Sequence, residues 1–218
     1  MDSYKTQQEH LDKLSNLHKE WMKNMSHDEK RLFDLIHEYE EKYFCDFTFE
    51  KGSVVTPYLK CDFMYDNEWV EEYAEPSHQL SSLTLACYRF MVEDVKMRDG
   101  SEAAGQANLK DRIITIPHKY IEDKTVVLHE MIHGYEGILN NVKKVYREIL
   151  IICLYKDLRP KIKDLDSRLE KNSQLHFGDI TRIQGGEHDL LFCLKSLDLD
   201  LRCNYKLGTV CGYGSDKY

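Results

Sequence analysis

The sequence has no apolar run long enough to cross a membrane and no cysteine pattern typical of a disulfide framework. Its longest apolar stretch covers only residues 149–154, whereas a membrane-spanning helix needs about 18 or more such residues. The polar N-terminal residues lack the apolar core of a signal peptide. The seven cysteines form no C-x-x-C pair. We therefore expect reduced thiols, no membrane association and a cytoplasmic location.

The sequence also lacks the excess of positive charge that would point directly to nucleic acid. It has 30 Lys and Arg against 38 Asp and Glu, a formal net charge of -8. The segment 142–172 is locally basic, and a solvated helix face is favoured there over a polyanion-binding surface. No repeat or low-complexity tract is present. With 218 residues, 42% of them hydrophobic, the chain is expected to bury a globular core without disulfides.

Apolar periodicity divides the chain into helical and strand-rich parts. Residues 5–44 show a helical period in two stretches, and Ser26 followed by Glu29 is typical of a capping box between them. Residues 45–80 are expected to form short strands and loops, and 82–95 a strand or a short helix. The pattern therefore predicts an N-terminal helical segment, 1–45, joined continuously to a domain covering 46–218.

The second half of the chain changes from strand-like to helical patterns. Residues 104–117 read as a strand pair that ends at Pro117. Asp123 is the expected N-cap of a helix that follows. Further helices are predicted up to Pro160, over 161–172 and over 187–197, whereas the tail from residue 200 cannot be assigned. The fold class is therefore α+β, with a small mixed sheet packed on a central helix and a helical C-terminal part.

The central helix carries the motif with the clearest chemistry. Residues 129–133 read H-E-x-x-H. A spacing of four residues places His129 and His133 on one helix face, where both imidazoles can bind one Zn²⁺ ion. Glu130 is rotated by about 100° from His129, so it can act as a general base without being a ligand. Random placement of 10 His and 19 Glu residues in this chain gives about 0.04 such motifs.

The residues around this motif resemble a known family. Gly105-Gln106-Ala107-Asn108, the strand 112–117 and the stretch 125–135 (Thr-Val-Val-Leu-His-Glu-Met-Ile-His-Gly-Tyr) are similar to SprT-like zinc metallopeptidases, which include Spartan. The likeness covers residues 104–139, and Gly134 stands where that family often has Ala. It implies a zincin-like fold and cleavage of proteins, often proteins bound or crosslinked to DNA. A DNA partner is implied by this resemblance alone.

A catalytic zinc site needs a third protein ligand, and several residues remain open for that role. The metzincin continuation fails because position 139 is Leu. His188, expected on a helix after Gly185-Gly186 and one turn before Phe192, is similar to the third-ligand element of the SprT-like family. The alternatives to His188 are Glu148, His176, Glu187 and Asp189.

The sequence thus predicts a zinc-dependent peptidase acting on a protein or peptide. Zn²⁺ would be held by His129, His133 and His188, with Glu130 as the catalytic base. The substrate would lie along an edge strand near 104–109 by strand addition. The competing hypothesis is a non-catalytic binding or effector module whose zinc site is structural or degenerate. A further zinc site at Cys193, Cys203 and Cys211 is disfavoured because their spacing is irregular.

Overall fold

The computed structural model describes residues 2–44, 48–50, 53–55, 85–96, 100–139, 144–173 and 188–212. Six α-helices lie within these ranges: α1 (Asp2–Asn24), α2 (His27–Tyr43), α3 (Lys124–Leu139), α4 (Lys144–Leu158), α5 (Leu165–Ser173) and α6 (Leu190–Arg202). The strands are β1 (Thr48–Glu50), β2 (Ser53–Val55), β3 (Arg89–Met91), β4 (Val95–Lys96), β5 (Glu102–Ala103), β6 (Gln106–Asn108) and β7 (Ile113–Thr115). The predicted α+β class is confirmed. Most of the segment 45–80 lies outside the described residues.

The two N-terminal helices form where the sequence predicts them. The Ser26 side chain accepts a hydrogen bond from the Glu29 backbone N–H at 3.2 Å, and the Glu29 carboxylate accepts from the Ser26 N–H at 2.7 Å. This reciprocal pair is the predicted capping box, and it starts α2 directly after α1. Trp21 and Leu32 are buried in the same apolar cluster as the core residues of the sheet and of the later helices. The N-terminal helices therefore belong to the common core.

A small mixed sheet follows the N-terminal helices. Strand β3 pairs parallel with β7, and β7 pairs antiparallel with β6. Ile114 lies at the centre, opposite Phe90 on one side and Ala107 on the other. The predicted strand pair in 104–117 is thus confirmed, and residues 85–91 supply a 3₁₀ turn followed by β3. Among the described residues, β6 lies at an edge of this sheet.

Helix α3 packs directly on this sheet. Its start is fixed by the Asp123 carboxylate, which accepts hydrogen bonds from the N–H groups of Thr125 and Val126 at 2.9 and 3.4 Å. Close packing depends on Gly134, because a Cβ there would lie 2.6 Å from a Leu85 methyl and 2.9 Å from a methyl of Ile114. The sheet therefore lies against the face of α3 that carries Gly134, as the sequence predicted for the motif helix.

The C-terminal helix differs from its prediction in where it begins. It was expected over 187–197, but it covers Leu190–Arg202, and Asp189 is its N-cap. The Asp189 carboxylate accepts from the Phe192 N–H at 3.1 Å. A short polar side chain that captures a free N–H stops the helix from extending backwards. His188 therefore precedes α6, and the prediction that it lies on the helix is wrong.

Helix α6 joins the N-terminal and central parts of the fold. It packs against α3, α4 and α5. The fully buried Lys195 donates to the Tyr43 carbonyl at the end of α2, at 2.7 Å, and to the Asp198 carboxylate at 3.1 Å. A buried ammonium group needs such partners. No helix in the described part of the chain is both long and apolar enough to cross a membrane.

Candidate metal centre

Three histidines from two parts of the chain meet at the interface between α3 and the start of α6. His129 and His133 project from one face of α3, and His188 comes from the segment just before α6. One ring nitrogen of each lies within 4.8 Å of the other two. Among the described residues, this is the one group of three or more His, Cys, Asp or Glu side chains close enough together to hold a metal ion. The predicted His129, His133 and His188 are therefore brought together.

The orientation of His129 is fixed by a backbone carbonyl. Its Nδ1 lies 3.0 Å from the oxygen of Val210. Because a carbonyl oxygen only accepts, Nδ1 carries the hydrogen of the neutral ring, and the Nε2 lone pair is left for another partner. That Nε2 lies 3.2 Å from Nε2 of His188.

The distance between these two nitrogens suits a shared metal ion. With Zn–N bonds of 2.0–2.1 Å, a tetrahedral zinc ion separates two nitrogen ligands by about 3.3–3.4 Å. The observed 3.2 Å between His129 and His188 is close to this value. The donor set also fits, because neutral imidazole is an ordinary zinc ligand. These residues could therefore hold a metal ion without a large rearrangement.

The second histidine of the motif faces a carboxylate. Nδ1 of His133 lies 3.6 Å from Oε2 of Glu136, one turn further along α3. The Glu136 side chain is buried and adjoins Asp189, which forms an ion pair with Arg147 of α4. Carboxylates often lie behind metal-binding histidines in this way and orient their rings. The cluster thus links α3, α4 and the start of α6.

Burial keeps the motif histidines neutral. Desolvation, followed by the nearby His133 ring, lowers the pKa of His129 to about 3. Desolvation and the neighbouring His188 lower the pKa of His133 to about 4. Both rings are therefore unprotonated at neutral pH in the metal-free chain, and their lone pairs are ready for a cation.

An aromatic ring supports all three histidines. The Phe192 ring stacks on His188 with centroids 4.2 Å apart and an interplanar angle of 17°. It also lies 4.6 Å from the ring of His133 and 4.8 Å from that of His129. Phe192 is fully buried in the first turn of α6. It thus forms an apolar wall that holds the imidazoles in place on one side.

Glu130 follows His129 in α3, and its side chain lies against the backbone at Gly105. A Cβ on Gly105 would lie 2.6 Å from Cγ and 2.7 Å from Oε1 of Glu130. The Glu130 side chain therefore occupies space that only a glycine leaves open. Gly105 directly precedes β6, so the carboxyl group lies next to the sheet edge.

The described alternatives for the third ligand do not join the group. Glu148 lies half-buried on α4 and is outside the histidine group. Asp189 caps α6 and pairs with Arg147. His176 and Glu187 lie outside the described residues. Of the described candidates for the third ligand, only His188 lies within the group.

Two contributors to the site were missed by sequence reasoning. Gly105 was read only as part of a strand, although a glycine in a strand pattern can signal a close approach. The carbonyl of Val210 falls in the tail that could not be assigned, and a backbone acceptor leaves no signature in the side-chain pattern.

Comparison with models of known families, with curated proteins and with solved structures finds no match to this chain. The resemblance to SprT-like metallopeptidases therefore stays a prediction from residues 104–139.

Proposed function

We propose that this chain is a zinc-dependent metallopeptidase with a zincin-like fold of the SprT-like kind. The observation that carries the proposal is the convergence of His129, His133 and His188, with Glu130 next to His129 in the sequence of α3 and outside the group. Three histidine ligands and a separate carboxylate are the set that metal-assisted hydrolysis requires.

The chemistry divides between the ion and the chain. A Zn²⁺ ion held by the three histidines supplies Lewis acidity, which polarises a scissile carbonyl and lowers the pKa of water. Glu130 takes a proton from the attacking water and later donates it to the leaving amine. The close backbone at Gly105 restricts where the Glu130 carboxyl group can lie, and this pre-orients the base.

The substrate would be a protein or peptide in extended conformation. Strand β6 lies at a sheet edge among the described residues, and Gly105 just before it touches Glu130. A peptide that adds to this edge would pass the catalytic carboxylate while bonding through its main chain. Such binding is weakly selective for sequence. A DNA-associated substrate and a cytoplasmic location are part of the proposal through the family resemblance and the composition.

A non-catalytic binding or effector module with a structural zinc ion is the second candidate. The observation that favours it is burial, since His129 and Glu130 are each only 1% exposed. A structural site is closed by protein ligands, whereas a catalytic site keeps one position open to substrate.

Replacing Glu130 with Gln separates the two candidates. The amide keeps the shape of the side chain but cannot accept a proton, so hydrolysis should fall by about 10²–10⁴-fold. The measurement is cleavage of unfolded casein by the zinc-loaded parent and variant, with zinc content determined in parallel. The exposed Glu93→Gln variant is the matched control and should retain parental activity.

Two results of this experiment would contradict the proposed catalytic role. If the zinc-loaded parent does not cleave any peptide bond, the structural-zinc module is the better account. If Glu130→Gln loses zinc together with activity, Glu130 is a ligand and its assignment as the base is wrong.

A further inference from the structure

A buried carboxylate organises the backbone turn that contacts His129. Asp200 lies near the end of α6 and is 0% exposed. Its Oδ2 accepts a hydrogen bond from the Gly208 N–H at 2.6 Å, and its Oδ1 accepts from the Val210 N–H at 2.9 Å. A buried carboxylate bonded by two backbone donors fixes both donors strongly. Asp200 therefore determines the path of the turn.

The turn is also shaped by a glycine and by its own backbone hydrogen bonds. Gly208 has a φ of 95°, a left-handed conformation that side-chain-bearing residues rarely adopt. Backbone bonds within the turn run from Thr209 N to Lys206 O at 3.1 Å and from Gly212 N to Gly208 O at 3.0 Å. Val210 is fully buried and lies between Asp200 and His129. Its N–H contacts Asp200 and its carbonyl contacts His129.

This chain of contacts sets the tautomer of a metal ligand. The Val210 carbonyl favours the hydrogen on Nδ1 of His129, so Nε2, which carries no hydrogen, directs its lone pair at His188. The backbone of the next residue, Cys211, also bonds the His129 ring. If this stretch of backbone moved away, the ring would lose its preference and could rotate or carry its hydrogen on Nε2. Metal-binding histidines depend on such outer partners for orientation and affinity.

We propose that Asp200 is a positioning residue for zinc binding, acting through the Val210 carbonyl on His129. It does not belong to the histidine group and acts without touching the ion. The inference rests on the proposed zinc site, but its central claim concerns the metal-free ring of His129.

The test compares Asp200→Asn with Asp198→Asn. The side-chain amide that replaces the Asp200 carboxylate would direct a donor at one of the two backbone N–H groups, so the turn should shift. Asp198 lies on the same helix and is also buried, but it binds Lys195 and Arg202, away from the metal centre. It therefore controls for a general loss of stability.

Two readouts apply to folded protein, and neither uses activity. Long-range ¹H–¹⁵N NMR of the metal-free chain should show His129 as the Nδ1–H tautomer in the parent and in Asp198→Asn, and mixed tautomers in Asp200→Asn. Competition with a chromophoric chelator should show zinc affinity lowered by about 10–100-fold in Asp200→Asn and unchanged in Asp198→Asn. Parental tautomer and affinity in Asp200→Asn would overturn the proposal. Equal losses in both variants would also overturn it.

A second variant keeps the test decisive if Asp200→Asn does not fold. Gly208→Ala strains the turn at its positive φ and leaves the Asp200 carboxylate in place. It should move the His129 tautomer and lower zinc affinity in the same direction, and a parental result would overturn the proposal. If the parent binds no zinc, the proposed function fails, whereas the His129 tautomer in Asp200→Asn still decides whether Asp200 orients that ring.

Discussion

The three histidines receive different support from the chain around them. His129 and His133 are held by a helix that is buried along most of its length. His188 lies outside any helix and is held by stacking on Phe192 and by the cap at Asp189. Its position therefore depends on tertiary packing.

Removing the His188 imidazole should release zinc. His188→Ala deletes one of three ligands, and the remaining two nitrogens hold the ion far less tightly. A chelator concentration that leaves the parent loaded should therefore strip this variant. The control is His118→Ala, which removes an exposed imidazole paired with Asp28, away from the cluster. Full zinc retention by His188→Ala would exclude it as a ligand.

Gly105 should control the catalytic efficiency of Glu130. An added methyl group at position 105 collides with the Glu130 side chain and must displace its carboxyl group. A displacement of about 1 Å can cost roughly 10²-fold in rate, so Gly105→Ala should lower kcat to that extent while zinc content stays at one ion per chain. The measurement is casein cleavage with parallel metal analysis.

A matched control for Gly105→Ala is available at Gly100. That residue has a positive φ of 82° and nothing within 4 Å of an added Cβ, so Gly100→Ala strains an exposed turn without touching Glu130. Equal activity of the two variants would contradict the positioning role of Gly105.

Sequence reasoning at this scale succeeded where chemistry is local. His129 and His133 are related by helix geometry alone, so their common face could be predicted. The closeness of Gly105 to Glu130, and of Val210 to His129, depends on how distant segments pack. No spacing along the chain encodes those distances.

At the scale of elements, helix α3 can pack closely on the sheet because position 134 is a glycine and has no side chain. Gly134 brings α3 close to Leu85 and Ile114, which are both fully buried. In this chain, methyl groups of Leu85 and Ile114 fill the space that an Ala side chain at position 134 would need.

Gly134→Ala should destabilise the fold despite its better helix propensity. The gain in propensity is about 1 kcal/mol, while overpacking a rigid core costs typically about 1–3 kcal/mol. We expect a net loss in the free energy of unfolding, measured by urea titration of the metal-free protein. The double variant Gly134→Ala/Ile114→Val removes one colliding methyl and should recover part of the loss. A more stable single variant would refute the crowding argument.

Element boundaries were predictable where a cap lies next to the helix. Ser26 with Glu29, and Asp123, mark helix starts through side chains that bond their own neighbours. The start of α6 was misplaced because Gly185-Gly186 suggested an earlier beginning, whereas Asp189 captures the Phe192 N–H. Its ion pair with Arg147, 42 residues away in sequence, could not be read from the pattern.

At the scale of the molecule, the proposed ion would join segments that are far apart in sequence. His129 and His188 are separated by 59 residues, and they meet because α6 packs on α3. A ligand that binds only the folded arrangement stabilises it by mass action. The proposed metal centre would therefore contribute to global stability as well as to the proposed chemistry.

Zinc should raise the Tm of the chain. At a free concentration about 100 times Kd, binding to the native state adds about 2.7 kcal/mol, less any affinity of the unfolded chain. Differential scanning calorimetry of the parent with and without Zn²⁺, and after chelation, measures the effect. The Tm of His133→Ala should be the same under all three conditions. An identical Tm for parent protein with and without zinc would contradict a native metal site.

The contact between His129 and the Val210 carbonyl spans 81 residues. A ribosome makes the helix that carries His129 and His133 long before it makes residue 210. Until residue 188 is made, the nascent chain has two adjacent imidazoles without the third ring, and until residue 210 is made it lacks the carbonyl that orients the first. The proposed metal centre, with three rings and the orienting carbonyl, would be complete only after residue 210 has been synthesised, so metal binding at full affinity would follow the formation of the turn at residues 206–212.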